Sequence, residues 1–267
     1  MEHLAIDPEK VSILLTDFIC QKFSESGFEH AILGLSGGVD SSTVAYLAQR
    51  ALGAENVWGI NMPYRTSNPQ SASDAQQVAQ KLGINFMTVE ITDMVDAYFK
   101  LYPDADMIRR GNRMARERMA ILYDLSVPLQ ALVLGSGNKT ESLLGYCTLH
   151  GDTACALAPL GDLYKTQVRA LAKFLGVPGH IIQKIPTADL WPGQSDEGEL
   201  GFTYEEVDKL LYFMVEKKYT LPELRELGFM DAFIKQVHGR IKRSLYKRQL
   251  PPVPKINSGF IDEKGRI

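Results

Sequence analysis

An apolar segment that runs directly into a glycine turn constrains this chain more than any other feature. Residues 31–35 read Ala-Ile-Leu-Gly-Leu, Ser36-Gly37-Gly38 follows, and a helical pattern extends from Asp40 to Arg50. This order predicts a strand, a tight turn and a helix. Glycine lets the backbone approach a ligand closely, and the free N–H groups that begin a helix carry partial positive charge. We therefore expect a turn that binds phosphate.

Asp40 adds a metal ion to this expectation. A carboxylate repels a neighbouring phosphate unless a cation lies between them, so Asp40 indicates Mg²⁺ held by carboxylate and phosphate oxygens. The segment has neither the Walker-type pattern GxxxxGKS or GxxxxGKT nor the pattern GxGxxG. A glycine turn with a purely structural role is the alternative interpretation.

Apolar segments alternate with helical patterns over the first two thirds of the chain. Strands are predicted at 31–35, 57–62, 86–91 and 131–134, and helices at 8–26, 40–50, 69–82, 106–125 and 166–175. This alternation predicts an α/β fold with a doubly wound, mostly parallel sheet flanked by helices, followed by a helical C-terminal third. Ligands of such sheets bind beyond the carboxyl ends of the strands, where Ser36, Pro63 and Gly135-Ser136 lie.

The chain shows no internal linker or repeat. We expect one domain over residues 1–250 and an irregular tail over residues 251–267, which begins with Pro251, Pro252 and Pro254. Residues 193–201 predict a long polar loop. Such a loop is either a lid over the site or a passive part of the surface.

The charge balance argues against some classes of partner. A formal net charge of −3 disfavours a broad nucleic-acid-binding surface. A basic cluster over residues 240–248 is either a solvated helix face or an anion site. No apolar run approaches the length that spans a membrane, and the first residues have no basic targeting segment, so we expect a cytoplasmic protein without membrane contact.

The cysteines argue against zinc and redox chemistry. Cys20, Cys147 and Cys155 have no paired spacing. Cys20 lies on an amphipathic helix, where we expect a buried structural thiol.

Two further clusters carry charged residues towards the same crevice. Gly135 to Glu141 follows the fourth strand, and Glu141 could bracket one Mg²⁺ together with Asp40; a helix first-turn acid is the alternative. Pro159 to Thr166 places Lys165 at the start of a helix, from which it could reach phosphate groups. A solvated surface lysine is the alternative there.

The pattern SGGxDSS resembles the pyrophosphate-binding signature of ATP pyrophosphatases, which cleave ATP to AMP and pyrophosphate. The order of the later clusters resembles the ammonia-dependent NAD synthetases of that superfamily, from about residue 5 to residue 250. These clusters are Asn-Arg-Met-Ala-Arg at 112–116, Gly-Asn-Lys-Thr-Glu at 137–141, Gly-Tyr-Cys-Thr at 145–148, Gly-Asp at 151–152, Pro-Leu-Gly-Asp-Leu-Tyr-Lys-Thr at 159–166, Pro-Thr-Ala-Asp-Leu at 186–190 and Gln-Ser-Asp-Glu at 194–197. The resemblance implies the adenine nucleotide alpha hydrolase-like fold.

The resemblance also implies roles for individual residues. Asp40 and Glu141 would hold Mg²⁺, Arg116 and Lys247 would contact deamido-NAD, and Asp152 would position ammonia. ATP would be bound by Gly34, Leu35, Ser36, Gly37, Gly38, Val39, Asp40, Ser41, Ser136, Lys165 and Thr187, with Lys165 also catalytic. Many members of the family carry a lysine and an aspartate where this chain has Leu149 and Ala156.

The implied reaction is the ATP-dependent amidation of deamido-NAD to NAD. Ammonia would attack an adenylated deamido-NAD, with release of AMP and pyrophosphate, in a homodimer. The predicted domain consumes the chain, so no amidase part is expected and free ammonia would be the nitrogen source. Three alternatives stay open: a tRNA-thiolating ATP pyrophosphatase, a GMP-forming one, and an ATP-binding regulator without turnover.

Overall fold

The residues that the structure describes form one sheet of four parallel strands. The structure, a computed structural model, describes residues 2–191 and 193–254. The strands are β1 (His30–Gly34), β2 (Val57–Asn61), β3 (Asn85–Thr88) and β4 (Ala131–Leu134), and their order in the sheet is β3-β2-β1-β4. β1 therefore lies between β2 and β4, with Leu33 paired to Gly59 on one side and to Leu134 on the other.

Helices cover both faces of this sheet. In chain order they are α1 (Pro8–Ser26), α2 (Val39–Leu52), α3 (Pro69–Leu82), α4 (Thr92–Phe99), α5 (Met107–Ser126), α6 (Lys139–Leu144), α7 (Lys165–Leu175), α8 (Gly179–Gln183), α9 (Asp196–Leu200), α10 (Tyr204–Leu211), α11 (Leu221–Glu226) and α12 (Asp231–Arg243). α1, α2, α3 and α7 pack on one face, and α4 and α5 pack on the other. The predicted doubly wound α/β fold is confirmed.

The alternation of side chains along the strands explains the two cores. Ala31 and Leu33 of β1 point to the face covered by α2, whereas Ile32 points to the face covered by α5. β4 is apolar throughout and contributes Val133 to one core and Leu134 to the other. Successive residues of a strand face opposite sides, so a parallel strand buried on both faces needs an unbroken apolar sequence.

The C-terminal third is helical, as predicted, and has a core of its own. Tyr204, Val207, Leu210 and Leu211 of α10 pack there with residues of α6, α11 and α12. α6 and α7 contact α10, so this helical part is joined to the sheet domain at the helices that follow β4. Within the described residues, no helix is both long and apolar enough to cross a membrane.

Two local expectations are wrong. Residues 193–201 are not a continuous loop, because Asp196–Leu200 form a short helix that is capped by Ser195 and Gly201. Cys20 is exposed rather than buried, and its thiol donates to the carbonyl of Ala51 at 3.2 Å.

The division of the chain at residue 250 stays a prediction. Residues 251–254 have no regular secondary structure, and residues 255–267 of the expected tail lie outside the described residues.

Candidate active site

The site lies where the strand order reverses. After β1 the chain moves to β2 and then β3 on one side, and β4 returns to the other side of β1. The carboxyl ends of β1 and β4 therefore lie side by side at this reversal, which is where parallel α/β sheets bind their ligands. The residues that follow are Ser36-Gly37-Gly38 after β1 and Gly135-Ser136 after β4.

The glycine turn after β1 has no room for a side chain at Gly37. Gly37 has a φ of +75°, and a Cβ there would lie 2.2 Å from the carbonyl oxygen of Ser71 on α3. The turn is braced by Ser41, whose Oγ accepts from the Ser36 N–H at 3.2 Å. The same hydroxyl donates to the Gly38 carbonyl at 3.2 Å. The turn is therefore held rigidly, with the first N–H groups of α2 at its end.

Two residues of the predicted phosphate-binding segment serve the core with their side chains. Leu35 and Val39 belong to the core between the sheet and α2. Only their backbone groups are available to a ligand in the crevice. Ser36, in contrast, is exposed at the mouth of the turn.

Three helix starts bring charged side chains together in a cluster of Asp40, Glu141 and Lys165. The Lys165 ammonium lies 2.5 Å from Asp40 Oδ2 and 2.9 Å from Glu141 Oε1. Only 3% of the Lys165 side chain is exposed. Asp40, Glu141 and Lys165 lie in the first turns of α2, α6 and α7, so the fold itself assembles the cluster.

Asn138 completes the surroundings of Asp40. It is fully buried, and its side-chain amide donates to Asp40 Oδ1 at 3.0 Å. Its amide oxygen accepts from the Glu141 N–H at 3.0 Å and so caps α6. Asn138 had no predicted role of its own, and its bond to a carboxylate 98 positions away follows only from tertiary structure.

Burial and charge shift the protonation equilibria of this cluster. Burial, with the charge of Asp40, raises the pKa of Glu141 to about 7, and the Lys165 ammonium opposes this rise. Burial alone would lower the pKa of Lys165, but the two carboxylates raise it above its ordinary value. Lys165 is therefore a permanent cation between two acids.

The two carboxylates of the cluster fit a magnesium ion. Their oxygens already converge on one positive nitrogen, which shows that both reach a single cation position. Within the described part of the chain, no group of three or more His, Cys, Asp or Glu side chains could hold a metal. Mg²⁺ commonly binds through one or two carboxylates plus substrate phosphates and water, so this donor set suits Mg²⁺ delivered with a nucleotide.

A buried carboxylate and two tyrosines lie behind Lys165. Asp196 of α9 accepts from the Tyr204 hydroxyl at 3.0 Å and from the Tyr146 hydroxyl at 3.1 Å. The Lys165 ammonium lies 5.1 Å from the centre of the Tyr204 ring. Neither tyrosine had a predicted role, although Tyr146 belongs to the Gly-Tyr-Cys-Thr cluster at 145–148.

A second group of predicted residues surrounds the turn at 148–153. Asp152 Oδ1 accepts from the Thr148 N–H at 2.7 Å, and the Arg116 guanidinium donates to the Leu149 carbonyl at 3.2 and 3.3 Å. Lys247 donates to the carbonyls of Gly145 and Cys147 at 2.9 and 2.6 Å. The segment that follows α6 connects this group to the charged cluster.

Ser136 and Thr187 do not hydrogen-bond to the charged cluster within the described residues. Ser136 lies two positions beyond β4 and is half-buried. The Thr187 hydroxyl accepts from the Asp189 N–H at 3.0 Å, and the Asp189 carboxylate accepts from the Asn68 N–H at 3.0 and 3.2 Å. Thr187 is thus tied to the connection that follows β2.

This chain is similar to known proteins in both sequence and structure. The family model for NAD synthase matches residues 12–251. An NH(3)-dependent NAD(+) synthetase from Trichlorobacter lovleyi is 51% identical over 266 residues, which cover 100% of this chain and 97% of that protein.

Two solved structures are similar over nearly their whole length. An NH3-dependent NAD synthetase from Campylobacter jejuni, in complex with the nitrate ion, has a TM-score of 0.81 and 34% identity, covering 94% of this chain and 100% of that one. An NMN synthetase from Francisella tularensis has a TM-score of 0.84 and 30% identity, with the same coverage. By sequence and by structure, this chain belongs to the NAD synthase family.

Proposed function

We propose that this protein forms NAD from deamido-NAD, ATP and ammonia through an adenylated intermediate, with release of AMP and pyrophosphate. The observation that carries the proposal is the Asp40–Glu141–Lys165 cluster, in which two carboxylates meet a buried lysine beside a rigid glycine turn, in a chain of the NAD synthase family. ATP is the co-substrate of this family's reaction. The assignment of individual residues is our inference from their positions.

The carboxylate of deamido-NAD must be activated, because attack by ammonia on a free carboxylate would have to expel hydroxide, which is a poor leaving group. Attack on the α-phosphorus of ATP forms an acyl-adenylate and releases pyrophosphate. The N–H groups that begin α2 and the Lys165 ammonium take up the negative charge of the phosphates. Ammonia then attacks the acyl carbon, and AMP leaves.

We propose that Asp40 and Glu141 hold Mg²⁺ when the nucleotide binds. The bound ion would neutralise phosphate charge. Lys165 occupies the space between the same two carboxylates in the free protein. We infer that it turns from the carboxylates to phosphate oxygens when ATP enters, since one position cannot hold two cations.

The turn at 148–153 supports the second half of the reaction. Asp152 is exposed and has one free carboxylate oxygen in the described structure, which suits an acceptor for ammonia. The guanidinium of Arg116 on α5 reaches the same turn, and we propose that it binds a dinucleotide phosphate. Lys247 already binds two backbone carbonyls, so we propose that it shapes the dinucleotide side of the site as well as contacting the ligand.

The cysteines support free ammonia as the nitrogen source. Glutamine hydrolysis by a cysteine needs a thiolate of low pKa. Burial raises the pKa of Cys147 to about 11 and also raises that of Cys155. The three free thiols also support our proposal that the protein works in the reducing cytoplasm.

We propose a homodimer that uses the exposed apolar surface of α4, α5 and the residues between them. Large apolar side chains concentrate there, and several are more than half exposed. The exposed apolar side chains of this surface are Met94, Tyr98, Leu101, Tyr102, Met107 and Ile108, of which Leu101, Met107 and Ile108 are more than half exposed. A contiguous surface of this kind marks an interaction site, and α5 also carries Arg116, so a second copy would lie close to the dinucleotide side.

A substrate comparison tests the proposed reaction. The protein is incubated with ATP, Mg²⁺ and either deamido-NAD or the acid form of NMN, each with ammonium or with glutamine. We expect NAD and AMP in equal amounts from deamido-NAD and ammonium, and almost no product with glutamine.

The similarity to an NMN synthetase makes NMN formation the second candidate. Faster amidation of the mononucleotide acid would replace our proposal with that function. ATP binding without AMP release would identify a regulator instead.

A further inference from the structure

Asp208 is a fully buried carboxylate that none of the roles above uses. It lies on α10 and has no exposed surface. Its Oδ1 accepts from the Thr140 hydroxyl at 2.5 Å, and its Oδ2 accepts from the Thr166 N–H at 2.8 Å. Both carboxylate oxygens are therefore committed to fixed partners inside the protein.

Each partner of Asp208 is a direct neighbour of a residue in the charged cluster. Thr140 precedes Glu141 on α6, and Thr166 follows Lys165 on α7. The Thr140 hydroxyl oxygen also accepts from the Lys165 backbone N–H at 2.9 Å. A single carboxylate thus joins the first turns of the two helices that present Glu141 and Lys165.

Burial of the Asp208 carboxylate costs free energy, and an apolar residue with a purely structural role would avoid this cost. Burial raises the pKa of Asp208, and the hydrogen bonds from Thr140 and Thr166 oppose this rise. Within the described residues, no Lys or Arg side chain forms a salt bridge with it. The amino end of α7 provides partial positive charge, which stabilises the carboxylate only if that helix end stays in place.

The fold of α10 has other sources of stability. Val207, Leu210 and Leu211 are completely buried in the C-terminal core. The Thr203–Glu206 capping box begins the helix. An apolar residue at position 208 would serve that core without the cost of a buried charge.

We propose that Asp208 is a positioning residue for the proposed reaction, which fixes the distance between the Lys165 ammonium and the Glu141 carboxylate. It touches neither ATP nor deamido-NAD. It acts through Thr140 and the backbone of Thr166, so that both charged side chains meet the nucleotide phosphates from fixed directions. The inference rests on the proposed function, because it concerns the same site.

The substitution Asp208→Asn tests this role with little change in volume. The amide can still accept from Thr140, but its NH₂ group would face the Thr166 N–H, so two donors would meet. We expect the Mg²⁺ concentration for half-maximal activity to rise and kcat to fall, each by about tenfold to a hundredfold, as for other residues that orient metal ligands. The KM for deamido-NAD should stay within about twofold, since Arg116 and Asp152 lie on other elements.

Thr140→Val provides an independent test that keeps side-chain volume. It removes the hydroxyl that joins Asp208 to the Lys165 N–H and should change kcat and the Mg²⁺ requirement in the same direction. The double variant should show less than the sum of the two effects, since both act through one hydrogen-bonded path. Glu205→Gln is the matched control on α10, because Glu205 is half-exposed and pairs with Arg169 at 2.6 Å; we expect unchanged constants.

A binding measurement separates this inference from the proposed function. Mn²⁺ and ATP binding to the same proteins can be followed by electron paramagnetic resonance and calorimetry, without turnover. Asp208→Asn should weaken the joint binding of Mn²⁺ and ATP even if the wild-type protein makes no NAD. If Asp208→Asn and Thr140→Val lower only the melting temperature and leave metal binding, kcat and the Mg²⁺ requirement as in the wild type, the positioning role is wrong. If Asp208→Asn does not fold, the Thr140→Val result decides.

Discussion

At the scale of single residues, the site is a problem of charge balance. Two partly exposed carboxylates meet around the buried ammonium of Lys165, which lies within hydrogen-bonding distance of both acids. Triphosphate would add negative charge to this position, and we propose that a further cation enters with ATP. Asp40 and Glu141 are the groups that can hold it.

Asp40→Asn and Glu141→Gln should each lower turnover by about a hundredfold to a thousandfold, the size expected for several kcal/mol of lost charge stabilisation. The double variant should show less than the sum of the two losses, because both act through one ion. Steady-state rates over a Mg²⁺ titration, with circular dichroism as the folding control, provide the measurement. A single variant that retains near wild-type turnover at saturating Mg²⁺ would remove that residue from the metal site.

Gly37→Ala should abolish ATP binding, because the new Cβ would collide with the Ser71 carbonyl and force the turn out of its conformation. Gly176→Ala is the matched control: Gly176 also has a positive φ, +87°, but a Cβ there would meet nothing within 4 Å. In the control, backbone strain should lower the free energy of unfolding by about 1–2 kcal/mol, and activity should be retained. Calorimetric ATP binding and thermal melts of both variants are compared. Equal ATP affinities and melting temperatures of the two variants would mean that the contact between Gly37 and the Ser71 carbonyl is unimportant.

The charged residues of the site were predictable from sequence, whereas their partners were not. Asp40, Glu141 and Lys165 each stand at a recognisable helix start after a strand or a glycine-containing turn. Asp208 and Tyr204 lie far along the chain in a helix whose pattern indicates only an apolar face. Their roles depend on how α10 packs against α6 and α7, which local sequence does not specify.

At the scale of secondary structure, the bounds of two elements could be predicted to the residue from local sequence. β4 and α3 have the predicted bounds, because one is an unbroken apolar run and the other lies between a proline and a glycine. α9 was missed, because five residues are too short for a helical period and Gly198 in their middle disfavours a helix. Its position is stabilised instead by tertiary bonds from Tyr146 and Tyr204 to Asp196.

This anchoring refines the expectation that residues 193–201 act as a lid over the site. α9 is already attached to the site by Asp196, so ligands should further protect a formed helix. Hydrogen exchange over residues 192–203, with and without ATP and deamido-NAD, should show slower exchange in the liganded protein. Equal exchange rates in both states would leave this segment as ordinary surface.

At the scale of the whole molecule, the apolar surface of α4 and α5 predicts a dimer. Ile108→Asp should shift the mass in solution towards the monomer, since it places a charge in the proposed interface. Ile185→Asp is the matched control, because Ile185 has the same exposed fraction, 68%, as Ile108 but lies outside that surface. Light scattering of the two variants and the wild type gives the masses. A monomeric, fully active wild type would contradict the dimer.

We claim that ammonia is joined to deamido-NAD at the Asp40–Glu141–Lys165 cluster. The most direct test measures NAD and AMP in one reaction for the wild type, Lys165→Met and Lys139→Met. Lys139 is the matched control, since it also begins a helix and pairs with two acids, Asp162 and Glu216. We predict equal NAD and AMP from the wild type, rates within about threefold for Lys139→Met, and a loss of at least about a hundredfold for Lys165→Met, the size that one transition-state donor contributes. A Lys165→Met protein that forms NAD and AMP at the wild-type rate would contradict the claim.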